Sequence, residues 1–206
     1  MNPAMSTWFA LRRRVPLEPG QSVLVLGATG NAGSMAVQVA KRLGAARVVG
    51  AGRDLARLEA LKAVGADDVV QLTADTEVTD AALGAAAADV DIVLDYLWGT
   101  PSERAIMGLL TQRSDRSRAI NWIQIGAMAG PTIKLPSVAL RSANLRLQGN
   151  GQGAVSTTVY LAELPSLVDE IDAGTIAVAA KSRPLADVED VWLEREVPGE
   201  RTVLVP

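Results

Sequence analysis

The sequence predicts an α/β fold built on a doubly wound parallel sheet. Short apolar runs of strand length alternate with stretches of helical periodicity over the first two-thirds of the chain, a pattern that calls for parallel strands joined by right-handed crossovers. Several runs, such as SVLVL, are apolar at nearly every position, as in strands covered on both faces. SVLVL also leads straight into GATGNAG and out into an amphipathic stretch. Strand, glycine turn and helix in that order form the first unit of a Rossmann fold.

The elements follow in order. Residues 2–14 read as a helix with Pro3 in its first turn. Pro16 and the Pro19-Gly20 pair mark a turn. Ser22–Leu26 is the first strand, and residues 34–43 are a helix that stops at Gly44. Residues 46–51 (ARVVGA) form a second buried strand. Residues 54–64 form a helix with Asp54 as N-cap and Gly65 past its end. Asp68–Gln71 is a short third strand, and the Ala-rich residues 75–88 are helical. Residues 91–97 (DIVLDYL) are a fourth strand, 101–110 a helix, and 120–125 (INWIQI) a fifth strand ending at Gly126. A sixth strand covers 144–148 (NLRLQ) and a helix covers 156–172, after which strand and turn alternate.

Composition narrows the chemistry. With 206 residues, 49% of them hydrophobic, the chain is long enough for one sizeable domain. A net charge of −3 gives no basic field, so neither nucleic acid nor an anionic membrane is an expected partner. No stretch approaches the roughly 20 apolar residues of a membrane span. Near the start, the arginines of MNPAMSTWFALRRR follow the apolar stretch, the reverse of a secretory leader. Cysteine is absent, and with these features the expected location is cytoplasmic. Histidine is absent too, which removes Ser-His-Asp chemistry and most catalytic zinc sites, so no metal is expected in this chain. What remains is main-chain amides, carboxylates, arginines and a bound cofactor.

The glycine turn is the strongest motif. Ala28-Thr29-Gly30-Asn31-Ala32-Gly33 is an A-x-G-x-x-G form of the dinucleotide fingerprint. At Gly30 no Cβ keeps cofactor phosphates from the backbone, and Gly33 lets the helix sit close on the strand. The helix then offers free N–H groups and a partial positive charge to a pyrophosphate. At the end of the second strand an NAD-binding protein carries an acid for the ribose diol. Here Gly52 stands in that place, followed by Arg53, with Arg57 one turn further on. A neutral floor beside a guanidinium suits the 2′-phosphate of NADPH, which a carboxylate would repel. Further along, Leu97 and Trp98 follow the fourth strand, Gly126 and Ala127 the fifth, and Gly149-Asn150-Gly151 the sixth. In a doubly wound sheet the ligand crosses the carboxyl ends of the strands, so these residues are candidates for the nicotinamide half. Ordinary turn glycines are the equally weighted alternative.

Other chemistries find no support. The two tyrosines, Tyr96 and Tyr160, are followed four residues on by Thr100 and Leu164, not by the lysine of a Tyr-x-x-x-Lys pair. Gly33 is followed by Ser34-Met35, not by the Lys-Ser/Thr of a phosphate-binding P-loop. Asp89, Asp91 and Asp95 read as strand boundary and turn rather than a metal cluster. The run Arg12-Arg13-Arg14 reads as a basic helix C-terminus.

NPAMSTWFAL, EPGQSVLVLGATGNAGSMAVQVAKRLGA, the Gly65-Ala66-Asp67 step, DIVLDYLWG, IQIGA, LRLQGNGQG and the closing GERTVLVP occur in this order. Together they resemble the zinc-independent quinone oxidoreductase branch of the medium-chain dehydrogenase/reductase superfamily, over essentially the whole chain. The resemblance implies NADPH-dependent reduction of a quinone, enone or related small carbonyl compound, with no obligatory side-chain acid or base. It implies a GroES-like domain ahead of Met1, so that the chain is expected to be part of a longer protein. Residues 1–176 would be the dinucleotide-binding domain and 177–206 the segment that returns to the other domain. The sixth strand, 144–148, is the expected edge for a homodimer that joins two sheets. A dinucleotide-binding sensor without turnover is the alternative function.

Overall fold

The computed structural model describes residues 2–177, 180–194 and 201–206. Helix α1 (Asn2–Phe9) leads, continued by a π-helical turn, Ala10–Arg14. Then come β1 (Ser22–Leu26), α2 (Asn31–Arg42), β2 (Arg47–Gly52), α3 (Leu55–Leu61), β3 (Asp68–Gln71), α4 (Thr76–Ala87), β4 (Ile92–Asp95), α5 (Gly99–Gln112), β5 (Ile120–Gln124), α6 (Ser137–Arg141), β6 (Leu145–Gly149) and α7 (Thr157–Asp172). Finally β7 (Ala180–Pro184), α8 (Val188–Leu193) and β8 (Arg201–Val205) close the chain. Six strands form one sheet in the order β3-β2-β1-β4-β5-β6, every pair parallel. That order, with its reversal between β1 and β4, is the doubly wound arrangement.

The apolar runs explain the layering. In β1, Val23 and Val25 face one cluster with Ala36, Val37 and Leu58, and Leu24 and Leu26 face another with Val93, Ile106 and Trp122. Both sets are fully buried. Period-two alternation therefore separates two apolar faces rather than an apolar and a polar one. A third cluster seals α1 to α2 and α7 through Ala4, Trp8, Met35, Val39 and Leu167. Strands β3 and β6 are the two outer strands, and the residues of β6 are exposed or half-buried. Among the described residues, strands β7 and β8 pair only with each other, parallel and largely exposed. No helix among the described residues is long and apolar enough to cross a membrane.

Local signals set most boundaries. Asp54 caps α3 by accepting from Arg57 N, Asp75 caps α4 by accepting from Glu77 N and Val78 N, and Ser156 caps α7 through Val159 N. Gly44 (φ +98°) and Gly65 (φ +117°) end their helices in the left-handed region. Asp67, past Gly65, accepts from Val48 N at 2.7 Å and pairs with Lys41, which ties the α3–β3 connection to β2 and α2.

Several boundaries differ from those expected. Helix α2 begins at Asn31, not at residue 34, because Gly30 is extended (φ −77°, ψ 162°) and occupies the N-cap. The expected 2–14 helix widens to π geometry after Phe9. The fourth strand is shorter than 91–97, because the Asp95 carboxylate draws Leu97 N and Trp98 N into a turn. Helix α5 therefore starts at Gly99 rather than 101. The sixth strand is shifted by one residue to Leu145–Gly149. Helices α6 and α8 were not expected; both are short, and short helices carry little periodic signal. Part of the closing GERTVLVP lies outside the described residues.

The arginine run has a more specific role than dipole complementarity. Glu163 of α7, whose side chain is 2% exposed, accepts from Arg12 Nε at 2.7 Å and Trp8 Nε1 at 3.1 Å and pairs with Arg13. Arg14 donates to the carbonyls of Gly149 and Ala154. Burial pushes the Glu163 carboxyl up, but the Arg12 and Trp8 hydrogen bonds and the arginine charges outweigh it, and its pKa lies below the ordinary value of 4.5. A lowered carboxyl pKa contributes stability that is full above the unfolded value and is lost as pH falls through the folded one. Urea denaturation of Glu163→Gln should show a loss of about 1–2 kcal/mol at pH 7, low in the range for charged hydrogen bonds because the arginines are partly solvated. The wild-type advantage should shrink steadily below pH 4.5.

Candidate functional site

The carboxyl ends of β1, β2, β4, β5 and β6 lie along one edge of the sheet, and the connections after β1 and β4 leave it on opposite faces. At β1 the chain turns at Gly27 (φ +85°). Gly27 N and Ala28 N both donate to Ala51 O at 2.9 Å, which pins the turn to β2. Gly30 N donates to Gly27 O at 3.1 Å. A Cβ at Gly33 would lie 2.2 Å from Gly27 O and 2.7 Å from Ala28 Cα, so only glycine lets α2 start so close to the strand. A Cβ at Gly30 would meet nothing nearer than Gly27 O at 3.4 Å, and Gly30 is exposed. Ser34 N is the first amide of α2 to find a main-chain acceptor, Gly30 O. Among the described residues, the amides of Asn31, Ala32 and Gly33 have none. The expected cradle is therefore thinned within Ala28 to Gly33: the Ala28 and Gly30 amides are engaged internally, while the Thr29 amide in the turn and three amides of the first helical turn remain.

Gly52 ends β2 and is buried, with Thr29 packed against it. Arg53 is exposed and Arg57 half-buried. Among the described residues neither guanidinium has an ion pair or side-chain hydrogen bond. The nearest carboxylate in sequence, Asp54, is engaged in capping α3.

Asp95 organises the centre of the edge. It is fully buried. Its Oδ1 accepts from Leu97 N at 2.9 Å and Trp98 N at 3.0 Å, and its Oδ2 from Trp122 Nε1 at 3.0 Å. Trp98 is held at φ +53°, the one non-glycine in that region among the described residues, at a cost of about 1–3 kcal/mol that the surrounding hydrogen bonds must offset. Leu97 lies against Gly27. Trp98 lines a cavity of about 330 Å³ with Gln124, Pro131, Leu147, Gln148 and Gly149. Gly126 fits under Tyr96, where a Cβ would come 2.7 Å from Tyr96 O.

Helix α1 lies over the same edge. Tyr96 OH stands 2.6 Å from Thr7 Oγ1 and 2.9 Å from Ser6 Oγ, and burial raises the Tyr96 pKa despite these two partners. Asn150 donates from Nδ2 to Ser6 O at 2.8 Å and is itself buried. Its side chain is thus turned toward α1, whereas Ala127, Gly149 and Gly151 are exposed. Asp95, read from the sequence as a strand boundary and turn, does hold the turn after β4, but its burial and its bond to Trp122 were not foreseen, nor was the Ser6–Thr7–Tyr96 cluster. The Asp-x-Leu-Trp-Gly turn after an apolar strand was the available signal for the first; the second joins positions 89 and 90 apart and had none. No group of three His, Cys, Asp or Glu among the described residues is placed to hold a metal ion.

This architecture is a doubly wound parallel α/β sheet with a glycine turn opening a helix at its carboxyl edge, and residues 32–113 match the family described as zinc-binding dehydrogenase. The chain is 32% identical over 219 residues to a probable NADPH-dependent quinone reductase of Emericella nidulans, covering 100% of this chain and 60% of the relative. Among solved structures it is similar to a quinone oxidoreductase of Pseudomonas syringae pv. tomato (TM-score 0.75, 21% identity, 100% of this chain and 63% of that one). It is also similar to a mycobacterial protein complexed with NADPH (TM-score 0.75, 21% identity, 99% and 62%). The chain thus spans about 60% of the length of the first of these relatives, and its resemblance to the quinone oxidoreductase branch of the medium-chain dehydrogenases holds in sequence and in fold.

Gly33→Ala tests the packing on which the edge is built. The added methyl has no room against Gly27 O and Ala28 Cα. A loss of about 2–3 kcal/mol, within the range for overpacking, is expected in urea denaturation.

Proposed function

We propose that this chain binds NADPH along the carboxyl edge of its sheet and is the nucleotide-binding part of an oxidoreductase acting on a quinone, enone or related small carbonyl compound. One observation carries the reading: three unpartnered amides open α2 beside a turn that a Cβ would fill. Such an end of helix accommodates a pyrophosphate. The residues fit the rest of the coenzyme. Arg53, assisted by Arg57, supplies positive charge where the 2′-phosphate would lie, and Gly52 withholds the acid that would repel it. Leu97, Trp98, Gly126, Ala127 and the Gly149-Asn150-Gly151 turn are the proposed lining of the nicotinamide half. When bound, the coenzyme supplies a hydride from C4 of its ring. This chain's contribution is to fix that ring in place at the edge, by anchoring the diphosphate and the adenosine end. The comparisons support the reading through the relative and neighbour whose names carry NADPH. The outer position of β6 supports a homodimer in which two sheets join along that strand.

Titration should show tight NADPH binding with clear preference over NADH; folded protein that binds neither would overturn the reading. NADPH oxidation with a simple quinone should then distinguish a reductase from a non-catalytic dinucleotide sensor. Arg53→Ala should weaken NADPH by ~1.5–3 kcal/mol, the scale of hydrogen bonds to a charged group, and leave NADH affinity unchanged. An unaltered ratio would reject the role given to Arg53.

A further inference from the structure

We infer that Thr29 is a specificity-determining residue: its side chain keeps position 52 free of any side chain and so bars an acid from the end of β2. This rests on the NADPH reading above. Gly52 is buried in regular strand pairing, opposite Gln71, and is not among the positive-φ glycines. Its backbone therefore does not require glycine; the space around it does. A Cβ there would lie 2.7 Å from Thr29 Cγ2, 2.9 Å from Thr29 Oγ1 and 3.3 Å from Thr29 Cβ.

Rotation of Thr29 does not relieve this. Both heavy substituents on its Cβ face Gly52, so each staggered χ1 leaves at least one of them on that side. Nor can the loop retreat, because Gly27 N and Ala28 N are fixed on Ala51 O and Gly30 N on Gly27 O. Gly50, two residues earlier in β2, is different: its nearest obstacle is Leu61 Cδ1 at 3.2 Å, the mobile end of a long side chain.

Position 52 is where a ribose-binding acid would stand in an NAD-dependent relative of the fold. Selectivity therefore has two independent parts. Arg53 attracts the 2′-phosphate, and Thr29 denies the diol its acceptor. The second part lies in the phosphate loop, on a different element from the residue it controls.

The test is a double-mutant cycle over Thr29→Ala and Gly52→Asp, repeated with Thr29→Gly, which removes the 3.3 Å contact as well. Urea denaturation and fluorescence titration with NADPH and NADH are read in parallel. Gly52→Asp alone should lower the folding equilibrium and bind both coenzymes worse than wild type. Thr29→Ala alone should gain nothing for NADH, since Gly52 still offers no acceptor. The double variant should recover stability and bind NADH better than NADPH, with a coupling of about tenfold in the folding equilibrium, typical of residues in contact. Two results would overturn the inference: Gly52→Asp as stable as wild type, or stability losses that simply add in both cycles. The stability arm does not depend on coenzyme. If coupling appears while wild type binds no NADPH, the steric claim stands and the functional reading falls.

Discussion

The structure of the edge depends on one close backbone approach, between the first turn of α2 and the end of β1, where Gly33 passes over Gly27 O with no room for a methyl group. This constraint places the three free amides of Asn31, Ala32 and Gly33 at the sheet's edge rather than a residue's width above it. It holds because the turn is also fastened sideways, with two amides on Ala51 O. Strand, turn, helix and neighbouring strand are therefore positioned together. The same fastening brings Thr29 over Gly52 and so connects the phosphate end of the edge to its selective end.

Away from the glycine turn, the edge is organised by buried polar groups rather than by loop flexibility. Asp95 has no cationic partner in its hydrogen bonds and is satisfied by two amides and an indole, which is how a buried carboxylate holds a left-handed residue such as Trp98 in place. Helix α1 closes the edge through Tyr96 and Asn150, and Glu163 secures α1 from behind through Trp8, Arg12 and Arg13. Residues remote in sequence thus act on one boundary, while β7 and β8 stand apart as a separate exposed pair.

Much of this was legible in the sequence. The apolar runs located β1, β2 and β4 most plainly, because strands buried on both faces have no polar positions to confuse the period, whereas the edge strands β3 and β6 carry polar, exposed residues and were legible only as short segments between helices. Gly44, Gly65 and Asp54 ended or capped the helices where their residue types require. The fingerprint was legible in kind but not in detail: which amides stay free depends on Gly27 O and Ala51 O, acceptors that the spacing of glycines does not reveal. Gly52 was legible as the absence of an acid, but its dependence on Thr29 was not, since contact between a loop and the next strand leaves no periodic trace. The hydroxyl cluster around Tyr96 and the Glu163 network were illegible for the same reason, their members lying 89 to 155 positions apart.

The central claim is that the first turn of α2 is the diphosphate site. Backbone NMR of isotope-labelled protein titrated with NADPH tests it most directly. The account predicts that the amide resonances of Asn31, Ala32 and Gly33 move furthest and saturate together, as their N–H groups acquire acceptors. If the folded protein takes up NADPH while these three resonances stay still, or shows no change with the coenzyme at all, the account is wrong.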